Sequence, residues 1–373
     1  MKFCFGIEHE TAFLRSDGQF ADFTNTTFDE FDAIVAQLPS YAGDYPQLRI
    51  GDAGIRVKRW YIEGFERFSE TGALIGCVPK GIELRTTVQA TIDGVITELT
   101  QSYQQLYQVA KLAGFRPVLT SYNPHQFAFE PVPPLNTYEQ RQFNSSHEKR
   151  TSAIPMMTFG PDLNLSAKEL STADVIDCGK KLTFYSPFMI PFSYSSPFLK
   201  GQPWDGLSIR TFERTGRRPA ARVFLAHESD LLTSEPSLTK LARVPAEIGR
   251  IEFKAFDSCG DFSLYGSLLA LLKGLMLDTT LAGRSMVPDI LLHQRSAQFG
   301  FTDDDIYTLA QTVLNAASEA LADDPDQVRL EPLHIMLEKR LSPADDMTTQ
   351  FRNGRSLHDI LEHGYSNALA LTY

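Results

Sequence analysis

The sequence predicts an α+β fold: one domain over residues 1–373, with a largely antiparallel sheet and flanking helices. Two observations point there. Strand-like and helix-like segments mix without regular βαβ alternation, and from Asp261 onward the apolar spacing is mainly helical. At 373 residues, 43% hydrophobic and 22% charged, the chain can bury a substantial core.

A first strand is expected over about Lys2 to Leu14, followed by a loop-rich stretch with Gly43, Pro46, Gly51 and Gly54. "GIELRTTV" (Gly81 to Val88) reads as a second strand. Ile92, Val95, Ile96, Leu99, Tyr103, Leu106, Tyr107 and Ala110 recur at helical spacing, with Gly114 as the stop. "FRPVLTSYNPHQF" reads as a strand entering a turn at Asn123-Pro124. "MMTFGPDLNLS" reads as a strand handing over to a helix near Ser166–Glu169, where the spacing fits a capping box. Residues 192–222, rich in Pro, Gly, Ser and Arg, read as a long ordered loop. "RIEFKAFD" (Arg250 to Asp257) returns to strand, and amphipathic helices follow near 264–280, 305–322, 326–341 and 356–370.

Forty-six acidic residues against 35 basic give a net charge of −11, so there is no basic excess for general nucleic-acid or anionic-membrane binding. A local arginine cluster could still hold a small anion. The four cysteines lie far apart without a C-x-x-C pair, which argues against a zinc knuckle or a disulfide framework. Acids by position 8 exclude a signal-peptide reading of the N-terminus. "SLLALLKGLML" is too short to span a bilayer. A cytoplasmic protein without membrane or nucleic-acid partners is the expectation.

Charge patterning supplies the chemistry. In "FGIEHE" strand alternation puts Phe3, Phe5 and Ile7 on one face, and Cys4, Gly6, Glu8 and Glu10 on the other. "GIELRT" repeats this, with Ile82 and Leu84 flanking Glu83, which shares a face with Arg85. In "RIEFKAF", Ile251 and Phe253 flank Glu252, beside Arg250 and Lys254. In "GPDLNLS", Asp162 and Asn164 share the polar face. One such strand is most simply a solvated sheet face. The recurrence of a central Glu between large apolar residues favours a built surface instead. Converging carboxylates suit hard cations, and arginines suit phosphate or carboxylate oxygens.

These segments, with "YNPHQF" and "SSPFLKG…SIRTFERTG", occur in an order that resembles the glutamate–cysteine ligase and carboxylate–amine ligase family over about Phe3 to Gly300. The resemblance implies a curved, largely antiparallel sheet of the glutamine synthetase type, whose concave face holds Mg²⁺ or Mn²⁺ and ATP. It implies phosphorylation of the glutamate side-chain carboxylate, then attack by an amine, most typically that of cysteine. Carried over by position, Glu8, Glu10, Glu83, Glu252 and His125 become metal ligands. Arg85, Arg210 and Lys254 become catalytic, and Arg214 with Lys254 nucleotide-binding. A homodimer is compatible with this, though nothing in the sequence sets the oligomeric state. Departures occur at Lys254, where relatives more often have Arg; at His125, which is shifted relative to Pro124; and at Asp162 and Asn164, where many relatives have histidines. They leave open a different amine acceptor. A guanido-type phosphotransferase is the alternative from another class.

Overall fold

The computed structural model describes residues 1–44 and 53–370, so the loop positions Pro46 and Gly51 lie outside the described residues. A nine-stranded, strongly curled and mostly antiparallel sheet forms the centre. Its strands are β1 (Phe3–Arg15), β2 (Phe20–Ala21), β3 (Trp60–Phe68), β4 (Leu74–Arg85), β5 (Phe115–Val118), β6 (Pro161–Ala167), β9 (Ala221–Leu225), β10 (Thr239–Leu241) and β11 (Ile251–Phe253). The short hairpin β7 (Phe198–Leu199) and β8 (Gln202–Pro203) stands apart. The main order is β10-β9-β11-β6-β1-β4-β3, and only β9 and β10 run parallel.

Strand β1 is the hub. Its first half pairs with β6 on one side and β4 on the other, and its second half pairs with β5 and β2. The expected alternation is present: Phe3, Phe5 and Ile7 are buried, together with Ile82 and Leu84 of β4, Leu163 and Leu165 of β6, and Ile251 and Phe253 of β11. The helices Ile92–Leu112, Thr172–Met189 and Phe262–Leu277 cover this apolar face, and Asp304–Ala320 packs on the last two of them. The opposite, polar face is left to a cleft.

Four local expectations need correction. The helix expected near Ser166–Glu169 starts at Thr172, because β6 runs on through Ala167 and the capping box is formed by Ser171 and Asp174. The second strand spans Leu74–Arg85 rather than residues 81–88. The late strand is only Ile251–Phe253. The expected loop 192–222 contains the β7–β8 hairpin and the short helix Ile209–Arg214, capped by Ser208. Strands β3, β9 and β10 and the helices Phe28–Gln37 and Ile290–Phe299 were not anticipated.

His9 continues the apolar phase of β1 and is fully buried. Its Nδ1 lies 2.9 Å from the Tyr265 hydroxyl and its Nε2 2.9 Å from that of Tyr365, so one neutral imidazole ties two helical segments to the strand. Phe262 meets the ring edge-on at 5.3 Å. Burial lowers the pKa of His9 to about 3. Below the ordinary histidine pKa of about 6.5 the unfolded chain takes up a proton that the folded chain refuses, so stability is lost as pH falls from about 6.5 toward 3. The loss should reach the order of 4 kcal/mol at this one site. Urea titrations of wild type and His9→Gln across that range check it: the stability difference between them should change with a slope of one proton, and a pH-independent difference would show that His9 does not titrate between the two states.

Candidate active site

The cleft over the polar face has a volume of about 920 Å³. Its floor is set by strand register. Glu8 of β1 stands opposite Arg85 on β4 and Asp162 on β6; Glu10 stands opposite Glu83; Glu83 in turn faces Tyr61 of β3. Two acidic triads result, Glu8–Asp162–Glu252 and Glu10–Glu63–Glu83, each with carboxylate oxygens within 4.8 Å of one another.

The triads are neutralised differently. In the first, Lys254 Nζ donates to Asp162 and, at 2.7 Å, to Glu252 Oε1. Arg250 reaches Glu252 Oε2 at 3.1 Å and Glu8 Oε1 at 3.5 Å. Burial opposes the charge on Glu252, but Lys254, Arg250 and Arg222 outweigh it and hold its pKa near 2. Asp162 goes the other way: desolvation, with Glu252 and Glu8 beside it, overcomes Lys254 and lifts it to about 7. In the second triad Glu10 has a dedicated cation, Lys80, whose Nζ lies 2.8 Å from Glu10 Oε1 and donates to the carbonyls of Pro155 and Thr158. The Gly160 N–H donates to Glu10 Oε2 at 2.8 Å. Glu83 is buried, takes a short hydrogen bond from Tyr61, and is held far above the carboxylate range by burial and then by Glu63, Glu8 and Glu10.

Lys80 illustrates what alternation hides. It shares the parity of the buried Ile82 and Leu84, yet it meets Glu10 on the cleft side. Between β3 and β4, Glu63 pairs with Gly81 and Gly64 with Pro79, so Lys80 is the extra residue of a bulge that re-aims its side chain.

The residues expected from sequence fall into three groups. Glu8, Glu10, Glu83, Glu252, Arg85 and Lys254 come together along the cleft. Arg85 donates to the Lys58 carbonyl at 3.0 Å and lies 4.3 Å from the Tyr61 ring centre. Arg210 and Arg214 border the cleft from beneath. Arg210, 3% exposed, donates to the carbonyls of Ala255 and Lys254, and Asp257 stands 3.6 Å away. It passes under Gly160, where a Cβ would come within 2.2 Å of Nη2, so glycine is required there for the arginine to sit. Arg214 is buried and donates to the Pro219 carbonyl; burial, Arg210 and Arg218 all work against its charge. His125 is elsewhere. It does not line the cleft, and its ring packs 5.9 Å from Phe20 and 5.7 Å from His358, away from both triads.

Glu63, Tyr61, Arg218, Arg222 and Lys240 also line the cleft, and buried Lys80 reaches Glu10 from beneath it. The polar parity of Glu63 and Tyr61 in "WYIEGF" could have pointed to them had that segment been read as a strand.

All six triad members offer carboxylate oxygen only, the donor set of Mg²⁺ or Mn²⁺ rather than of softer metals. The second triad fits a cation best, since Lys80 answers Glu10 alone and leaves Glu63 and Glu83 crowded.

The chain matches no protein-family model and no curated protein. Solved structures do resemble it. A bifunctional glutathione synthetase from Pasteurella multocida superposes with a TM-score of 0.59 at 12% identity, over 99% of this chain and 52% of that one. The chain thus spans about half the length of that protein. A glutamate–cysteine ligase from Francisella tularensis, in complex with AMP, gives a TM-score of 0.57 at 13% identity, over 100% and 90% of the two chains. The ligase PafA, in complex with the prokaryotic ubiquitin-like protein Pup, gives 0.56 at 11%, over 97% and 73%. The curled sheet and its helices are therefore the fold that these three structures share.

Proposed function

We propose that the protein is an ATP-dependent carboxylate–amine ligase that joins the side-chain carboxylate of glutamate to the amine of an amino acid. One observation carries this reading: two carboxylate triads, with Lys254 and Arg250 among them, line the floor of a cleft in the fold of AMP-bound glutamate–cysteine ligase. Cysteine, implied by the sequence resemblance, is one member of the acceptor class. The ligase fold of the structural neighbours favours this over a guanido-type phosphotransferase.

The chemistry needs charge control. A carboxylate oxygen attacks the γ-phosphorus of ATP, an O–P bond forms and ADP leaves. The amine lone pair then attacks the acyl carbon, C–N forms, and the C–O bond to phosphate breaks, with one amine proton lost. Glu10, Glu63 and Glu83, and beside them Glu8, Asp162 and Glu252, are the residues that would hold divalent cations. Such cations, when bound, offset the charge of the transferred phosphoryl group. Lys254 and Arg250 add fixed positive charge at the same floor. Arg210 and Asp257 act from below by bracing the Lys254–Ala255 backbone through its carbonyls.

Phosphate release from ATP should require Mg²⁺ or Mn²⁺ and glutamate together, and should rise with an amino-acid acceptor. Hydrolysis that ignores both glutamate and amines would sink the proposal. Lys254→Ala should lower turnover on the order of 10²–10³-fold while Lys254→Arg retains most of it; normal turnover by the Ala variant, with circular dichroism unchanged, would make Lys254 a mere partner of Asp162 and Glu252. Finally, Glu83→Gln should melt no lower than wild type in chelator, because the amide replaces a carboxyl that burial and its acidic neighbours already keep protonated. Mn²⁺ or Mg²⁺ should then raise the wild-type melting temperature and leave the variant nearly unmoved. Equal shifts in both proteins would remove Glu83 from any cation site.

A further inference from the structure

A second cavity of about 570 Å³ adjoins the cleft, and Arg218, Arg222 and Lys240 line both. Part of its wall is apolar, with Phe65 and Phe68 from the far half of β3 and Leu135 and Phe143 across from them, and the remainder is polar. Phe65 is backed by Phe129 at 5.2 Å and Phe68 by Tyr138 at 5.9 Å, so these walls are set.

The acids around this cavity are already engaged. Both oxygens of Glu139 accept from Arg67, at 2.8 and 2.9 Å. Glu148 Oε1 accepts from the Ser237 N–H at 3.0 Å. The cations at the junction are answered unequally. Arg218 donates to the Glu148 carbonyl at 2.8 Å and is fixed by it. Arg222, by contrast, has a buried Nε without a hydrogen-bond partner, and neither Arg222 nor Lys240 has a salt bridge among the described residues. Arg222 stands across the β9–β11 pair from Glu252 and feels Glu148 as well. Yet neither it nor Lys240 is tied up in such an ion pair, so at the junction of the cleft with an aromatic wall both can take an anion attached to an apolar body.

We infer that this cavity is the acceptor pocket, and that the acceptor is an amino acid with a large apolar side chain. The inference rests on the ligase reading above. Its α-carboxylate would meet Arg222 and Lys240 at the junction, its amine would face the acidic floor of the cleft, and its side chain would fill the space between Phe65, Phe68, Leu135 and Phe143. Cysteine would leave most of that space empty. A cavity of this size suits a much larger group.

Hydroxylamine separates the two readings, since it traps an acyl phosphate as a hydroxamate and needs no side-chain pocket. With ATP, Mg²⁺ and glutamate, wild type should form the hydroxamate. With L-phenylalanine in its place, coupling should exceed that with L-alanine or L-cysteine at least tenfold in kcat/KM. Phe143→Arg, or Leu135→Arg if the first variant folds poorly, should lose at least tenfold more activity toward L-phenylalanine than toward hydroxylamine. Arg222→Gln should narrow the preference for L-phenylalanine over phenethylamine, which lacks the carboxylate. Hydroxamate formation with alanine and cysteine coupling as well as phenylalanine, or equal losses toward both amines in the obstructed variants, overturns the acceptor pocket and leaves the ligase standing. Failure to form any hydroxamate overturns the ligase reading and the pocket with it.

Discussion

Everything in this molecule depends on keeping carboxylates close together on one face of a sheet whose other face is core. Glu10 and Glu83 stand directly opposite each other, an arrangement that ordinarily destabilises a strand pair. It persists because the strands cannot slip. A one-residue shift of β1 would send Phe5 and Ile7 into the cleft and bring Glu8 into the core. Hydrophobic burial thus imposes the register, and register imposes the acidic cluster. Lys80, Lys254 and Arg250 then answer part of the charge.

The division of labour between the two triads follows from this partial answer. Around Glu8, Asp162 and Glu252, two cations already occupy positions that a divalent ion would share, so the group is close to self-sufficient. Around Glu63 and Glu83, positive charge is scarce, and Glu83 relieves the crowding by favouring its protonated form. One half of the floor is largely neutralised by fixed cations, and in the other Glu63 and Glu83 have no ion pair among the described residues.

The parts legible in the sequence are those governed by period-two burial. Glu8, Glu10, Glu83 and Glu252 could be placed on one face because each sits between large apolar neighbours that must point inward. The same rule would have found His9, which carries the apolar phase of Phe5 and Ile7, had a polar side chain been allowed in the core. What escaped is what breaks periodicity or is not local. Lys80 is thrown across by a bulge, and β3 loses its alternation at Gly64. The helix that carries Arg210 and Arg214, Ile209–Arg214, is too short to show a face. Asp162 could be placed on the polar face, but its meeting with Glu8 and Glu252, like that of Glu63 with Glu10, depends on which strands pair, and His125 packs instead against Phe20 and His358.

The central place of β1 also bears on how the chain reaches this state. Its residues pair with positions as far along as Ala167, and β4, β5 and β6 all follow it in the sequence. During synthesis an apolar, charge-bearing strand must therefore remain unpaired until much of the chain exists. Contacts of such long sequence separation slow folding and prolong the exposure of strand edges. The same acids that repel one another on the finished floor would serve in that interval as gatekeepers, discouraging β1 from pairing with β1 of another chain.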